Sequence, residues 1–347
     1  MTKNFLTIED WRRLYGLAAQ VKDMQPWEWM EESDIFGVQD PESDEIGFVS
    51  VMGMAGEHYA IAVYRGPTGL YGFWDLQRLN PTEAPERLLE IPQLMLSFED
   101  RNFLRQEDYE IIRQLGLKFR GAHAWPMFRS IHPGYFPWFL TPEEARFMVC
   151  VLEQAIDVTL RFKTDKTLRE EPDEDYLVRI PHKDDGRLSW ENRKIHVPPP
   201  GPLAVSISLD MNEVKTLRRL TRSSHIIEID LFMIPAPVGE KGDRPFCPYN
   251  LMLVETKGNL ILGNESLLAE PSLEAMWGSI PSKIVHLFTQ AGIIPREVKV
   301  RSELLFQLLK PLAEEFHFEL THTRTLKKLD SAKKSILQFL SREEFLS

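Results

Sequence analysis

HIIEIDLFMI (residues 225–234), NLMLVE (250–255) and NLILG (259–263) are the segments on which the fold of this chain turns. Each is short, rich in β-branched and large apolar residues, and bounded by turn formers, which is the pattern of a strand. Lys257-Gly258 between the last two reads as a tight hairpin turn. Downstream the apolar period changes. Leu273 to Ala291 reads as helix, which Gly278 and Pro281 are expected to break in two. Glu297 to Val300 alternates, with Val298 and Val300 on one face. Ser302 is placed to cap a helix from Glu303 to Phe316, whose stripe is Leu305, Leu308, Leu309, Leu312 and Phe316, with a kink expected at Pro311. Phe318 to Thr321 is the next strand, and Leu326 to Leu340 the last helix. The order is β-β-β-α-β-α-β-α. An antiparallel meander followed by right-handed crossovers gives one mixed five-stranded sheet with helices on its faces.

Working outward, Pro198-Pro199-Pro200-Gly201-Pro202 is a stiff extended connector. Before it, Tyr176 to Ile180 and Lys194 to Val197 read as a hairpin around Asp184-Asp185-Gly186, and residues 163–175 are charged and poor in apolar side chains. The fold class is therefore α+β in two domains, each a mainly antiparallel or mixed sheet with helices. An N-terminal domain is expected over residues 1–165, a charged and proline-rich linker with a hairpin over 166–202, and a C-terminal domain over 203–347. The length of 347 residues suits two cores better than one.

The first half opens with a capped helix. Thr7 and Asp10 form a capping box, and Trp11, Leu14, Tyr15, Ala18 and Val21 recur at helical spacing. Ile35–Val38, Ile46–Met52 and His58–Tyr64 read as a three-strand meander, the last alternating Tyr59, Ile61, Val63 against Ala60, Ala62, Tyr64. Gly69 to Leu79 reads as helix, Pro81 to Pro92 as a linker, Gln93 to Phe98 as a strand and Gln106 to Leu115 as a helix. Thr141-Pro142-Glu143-Glu144 carries a Thr cap, a proline at the first helical position and Glu at the third, so a long helix starts there.

Charge narrows the function classes. The net charge is −11 and uneven: residues 1–165 hold 16 basic and 26 acidic side chains, and the remainder 25 and 26. Eight acids lie between Glu28 and Glu45 with no Lys or Arg, beside Trp27 and Trp29. Phosphate backbones are repelled by such a surface, so general nucleic-acid binding is disfavoured. No stretch reaches the ~20 apolar residues of a membrane span, so no membrane partner is expected. Cys150 and Cys247 have no CxxC neighbour, which disfavours a disulfide framework and a thiolate metal site and suits a cytoplasmic location. The chain has no GxSxG, HExxH, kinase set, EF-hand loop or Rossmann fingerprint, and Gly53-Met54-Ala55-Gly56-Glu57 lacks the GK[ST] ending of a phosphate loop.

The segment RGAHAWPMFRSIHPGYFPW (residues 120–138) is the densest unusual stretch. It reads as a long loop carrying two histidines, two further cations and several aromatics. Rigid aromatics beside arginine suit an anion, a base or a partner's peptide. Arg120, His123, Trp125, Arg129, His132 and Trp138 are its candidate binding residues. A loop folded over the core and stapled by its own aromatics explains the same composition. His123 and His132 lack a zinc-site spacing, and no metal ligand is assigned.

The β-β-β-α-β-α-β-α order over about residues 225–340 resembles the ribonuclease H-like fold. That resemblance implies carboxylates meeting where the first strand lies beside the fourth, where they hold Mg²⁺ or Mn²⁺ for hydrolysis of nucleic acid. The residues it picks out are Asp230, Glu274, Glu303 and Asp330. The chain departs from the family pattern at the end of the fourth strand, where an Asp is expected and Arg301-Ser302 stands. The segments Trp27-Glu28-Trp29-Met30, Asp34-Ile35-Phe36-Gly37-Val38, Val51-Met52-Gly53, Gly56-Glu57 and Ala62-Val63-Tyr64-Arg65-Gly66 resemble a family of bacterial hypothetical proteins. Pro295 to Asp330 resembles a second domain found in them. Both are domains of unknown function, so the resemblance implies a bacterial origin and carries over no catalytic residue. The expectation is a non-enzymatic binding or interaction protein without cofactor, taking a macromolecule or small ligand. The rival is the metal-dependent hydrolase.

Overall fold

A computed structural model describes residues 6–78, 87–165, 168, 175–184, 187–201, 205–234, 236–240 and 242–344. The chain forms two compact units. The first comprises Met1–Pro133 with Pro137–Gly201, and the second Gly134–Phe136 with Pro202–Ser347.

The first unit is built on a seven-stranded sheet. Its strands are β1 (Phe36–Gln39), β2 (Ile46–Met52), β3 (Tyr59–Arg65), β4 (Gln93–Glu99), β5 (Trp125–Ile131), β6 (Asp175–Asp184) and β7 (Arg187–His196). They lie in the order β5-β4-β3-β2-β1-β6-β7. All neighbours are antiparallel except β1 and β6. The alternation along β3 sends Ile61 and Val63 to one face and Ala60, Ala62 and Tyr64 to the other. The first face packs under α1 (Ile8–Met24) and α4 (Pro142–Thr164); the second packs against α2 (Gly66–Gln77). With both faces covered, every side chain of β3 from Ala60 to Tyr64 is buried. α3 (Gln106–Gln114) leads into β5.

Both capping boxes read from the sequence are present. Thr7 Oγ1 accepts from the Asp10 N–H and Asp10 accepts from the Thr7 N–H. Thr141 and Glu144 do the same for α4, and Glu144 also accepts from the Ser130 hydroxyl at 2.7 Å.

Two expectations change in this unit. The hairpin before the proline connector is no linker element: β6 and β7 extend the first sheet through the pairing of Gly37 with Val178 and Val38 with Arg179. The sparse apolar content of β7 fits the sheet's edge, where it is largely exposed. Residues 120–138 are no structureless loop either. Trp125–Ile131 form edge strand β5, paired with β4 from Gln93↔Ile131 to Glu99↔Trp125. Pro126 and the aromatics masked the alternation. Part of the expected linker Pro81–Pro92 lies outside the described residues.

In the second unit the sheet follows the expected order. β8 (Ile226–Met233), β9 (Tyr249–Glu255) and β10 (Leu260–Leu267) form an antiparallel meander. β11 (Glu297–Val300) joins β8 in parallel, and β12 (Glu319–His322) joins β11 in parallel, giving β10-β9-β8-β11-β12. The helices are α5 (Met211–Leu217), α6 (Leu273–Ala291), α7 (Glu303–Phe316) and α8 (Lys327–Glu344). α6 is continuous through Gly278 and Pro281. Gly278 serves a close approach instead of a break: a Cβ there would stand 2.2 Å from the Ser206 carbonyl oxygen. The β9–β10 turn is longer than Lys257-Gly258 alone, spanning residues 256–259, with Asn259 left-handed at φ 53°.

α8 covers the outer face of β8 and β9 through Phe232, Met252, Val254, Leu326 and Leu329. Its first turn is capped from the sheet. Glu228, buried on β8, accepts the N–H groups of Lys328 and Leu329 at 2.9 and 2.8 Å. A carboxylate at a helix N-terminus meets both the orphan donors and the dipole.

Candidate functional site

The six candidate binding residues of 120–138 divide sharply. Arg129 is buried, and its guanidinium grips Asp108 of α3 at 2.9 and 2.5 Å with the ring of Phe139 4.9 Å away. Asp108 also accepts the Arg105 N–H at 2.9 Å, so one carboxylate starts α3 and neutralises β5's arginine. Trp125 packs edge-on to Tyr109 and Phe119, with Arg101 over its ring at 6.0 Å. Trp138 exchanges backbone hydrogen bonds with Ser130 at 2.7 and 3.0 Å and lies under Arg105 at 4.7 Å. These three staple the segment to its own domain. Arg120 is exposed, and His132 is half-buried beyond β5.

His123 has a different setting. Gly121 and His123 both take left-handed backbone, φ 101° and 49°, a turn held by the His123 N–H donating to Asp100 Oδ1 at 2.8 Å. The imidazole meets the edge of Tyr59 at 5.3 Å. It lines an open cavity of about 520 Å³ with Glu57, His58, Glu99, Asp100, Phe103 and Met127. His58 Nδ1 lies 3.9 Å from Glu99 Oε1, and Phe103 is 63% exposed at the rim. Three carboxylates face two imidazoles there. Sequence reading found only His123. The rest come from the start of β3, the end of β4 and the segments beside them, joined by the pairings Tyr59↔Phe98 and Glu99↔Trp125. Nothing in the sequence marks Glu57, Glu99 and His123 as neighbours.

The four acids of the second unit do not share a place. Asp230, on β8, is 4% exposed and accepts from Arg301 Nε at 3.0 Å and Nη2 at 2.6 Å. The same Nη2 reaches Asp330 Oδ1 of α8 at 2.7 Å. Arg301, the residue that departs from the family pattern, thus stands between the first-strand and last-helix acids. Glu274 is exposed in the first turn of α6, and Glu303 is exposed and accepts from Gln307 at 2.6 Å. Burial pushes the Asp230 carboxyl above its usual range, opposed by Arg301, whose guanidinium gains from both acids. Among the described residues no three or more His, Cys, Asp or Glu side chains are grouped to hold a metal ion.

The cysteines are inert by environment. Burial pushes the thiols of Cys150 and Cys247 up to about 11, so neither is a thiolate nucleophile at neutral pH. No helix among the described residues is long and apolar enough to cross a membrane.

Two family models match the chain: Domain of unknown function (DUF7309) over residues 11–179, and Domain of unknown function (DUF6930) over residues 213–337. No curated protein and no solved structure matches. Two successive stretches that together span most of the chain are thus each similar to a domain of unknown function.

Proposed function

We propose that this is a non-enzymatic bacterial cytoplasmic binding protein whose first domain receives a positively charged organic group in the cavity beside His123. The observation that carries this reading is the lining: Glu57, Glu99 and Asp100 converge on one open cavity with only imidazoles as possible cations and Phe103 exposed at the rim. Carboxylates at a concave, partly desolvated surface raise the local concentration of cations. An exposed ring adds a face for an ammonium or guanidinium group. The surplus of acids over bases in residues 1–165 extends the same field over the domain. The ligand class is a small organic cation or a basic side chain of a macromolecular partner.

Calorimetric titration with spermidine and with arginine amide at low salt tests this. Saturable binding of either, weakened in Glu57→Gln/Glu99→Gln and by added salt, is the expected result. Absence of binding by both, or unchanged affinity in the double variant, rejects the site.

The strand order of the second sheet favours a second reading, a ribonuclease H-like hydrolase dependent on Mg²⁺ or Mn²⁺. The residues present do not fit that metal pair. Arg301 occupies the junction of Asp230 and Asp330, while Glu274 and Glu303 are exposed on separate helices. A Mn²⁺ titration followed by thermal shift decides this point: stabilisation in the wild type lost in Asp230→Asn supports the hydrolase, and no shift at millimolar metal removes it.

A further inference from the structure

Lys22 lies in the last turn of α1. Its ammonium stands 5.4 Å from the ring centre of Trp27, 5.1 Å from Tyr59 and 5.0 Å from Phe98. The rings come from the segment after α1, from β3 and from β4. Trp27 and Phe98 are 4% and 0% exposed, and Trp27 packs on both other rings at 4.9 and 5.6 Å. Among the described residues Lys22 has no ion pair and no hydrogen bond from its side chain. A lysine stem running along apolar surface normally carries its head to water or to a carboxylate. Here the head is half-buried and meets only ring faces.

Two effects compete on that ammonium. Ring faces favour the cation. Loss of water disfavours it, and with no carboxylate to compensate, burial wins: the amine is held below its ordinary range. A desolvated lysine in an apolar, aromatic pocket is the setting in which this side chain acts as a nucleophile.

We propose that Lys22 is a covalent site for small aldehydes, its amine forming a Schiff base within the Trp27, Tyr59 and Phe98 rings. The amine nitrogen lone pair adds to the carbonyl carbon. The two amine protons pass in turn to the carbonyl oxygen, first giving the carbinolamine hydroxyl, that oxygen departs as water, and a C=N bond remains. No oxidant or reductant is required. The neutral imine removes the buried charge, the protonated iminium keeps the ring contacts, and the aldehyde's carbon chain meets aromatic surface in both states. The Tyr59 ring also meets His123 of the cation cavity, but the covalent step needs no ligand in that cavity.

The test treats the full chain near neutral pH with propionaldehyde and cyanoborohydride, which reduces only formed imines, and follows each lysine by peptide mass spectrometry. Lys22 is expected to be alkylated several-fold faster than the exposed Lys118 and Lys257. That preference should vanish in urea, and Lys22→Arg should lose the fast-labelled peptide while melting like the wild type. Alkylation of Lys22 at the rate of the exposed lysines or below, or a preference that survives unfolding, overturns the proposal.

Discussion

Arg129 shows how one residue type carries opposite meanings. In the sequence it is a cation among aromatics on an unusual segment, the composition of a recognition surface. In the fold it is 7% exposed and its charge is spent on Asp108. Removing one partner of such a buried pair strands the other, so Asp108→Ala is expected to cost about 3–5 kcal/mol in urea melts. A cost below about 1 kcal/mol would mean the pair is surface-like. Lys22 gives the pH-dependent counterpart. Burial holds its amine below the ordinary 10.5, so on raising pH the folded chain releases this proton before the unfolded chain does. Between the two values the unfolded state binds more protons, and stability rises with pH. The Lys22 penalty is therefore full at neutral pH and fades toward 10.5. Relative to Lys22→Met, the wild type should gain stability as pH rises from neutral toward 10.5, read from paired melts. An unchanged difference contradicts the burial argument.

At the scale of elements, signals confined to one turn of chain were the readable ones. Thr7 with Asp10, Thr141 with Glu144, and Ser302 mark helix starts because cap and N–H partner lie three residues apart. Thr141→Ala is expected to cost about 1 kcal/mol, measured as a lower urea midpoint at unchanged slope. Glu228 could not be read as the cap of α8, because its N–H partners lie 100 and 101 residues away. The role of Gly278 is hidden for the same reason: its necessity comes from a backbone oxygen 72 positions earlier. Gly278→Ala forces that approach apart and should destabilise the second unit by about 1–3 kcal/mol, seen by differential scanning calorimetry. Arg301 joins β8 to α8 through Asp230 and Asp330. Arg301→Ala is expected to raise amide exchange in 327–336 while leaving the strands β8, β9 and β11 protected. Uniform exchange across the unit would show that the clasp holds more than one helix.

Charge and layering govern the whole molecule. A net charge of −11, concentrated in the first 165 residues, opposes a phosphate backbone over distances set by the Debye length, ~8–10 Å in ordinary salt. Duplex DNA should therefore show no saturable binding in fluorescence anisotropy at about 0.1 M salt; micromolar affinity there would reverse the charge argument. Both sheets open with an antiparallel meander whose first strand gains a parallel neighbour on its free side, β6 beside β1 and β11 beside β8. In the second unit the alternation of β8 and the helical stripe of α7 determined this arrangement, since period-2 and period-3.6 patterns each leave one face that only a sheet with covering helices can bury. The first unit hid its extent because β5 and β7 are edge strands and, with β6 between β1 and β7, carry charge or proline that masks their alternation. Sequence by itself thus determined the α+β class, the starts of the capped helices α1, α4 and α7, and the order of the second sheet, all written in residues close along the chain. Tertiary structure alone decided which charges are spent and which are offered: Arg129 and Arg301 found carboxylates 21 and 71 positions away, while Glu57, Glu99 and His123 were brought to one cavity. Pairing across a sheet is fixed by strand register, and register is a property of the folded chain.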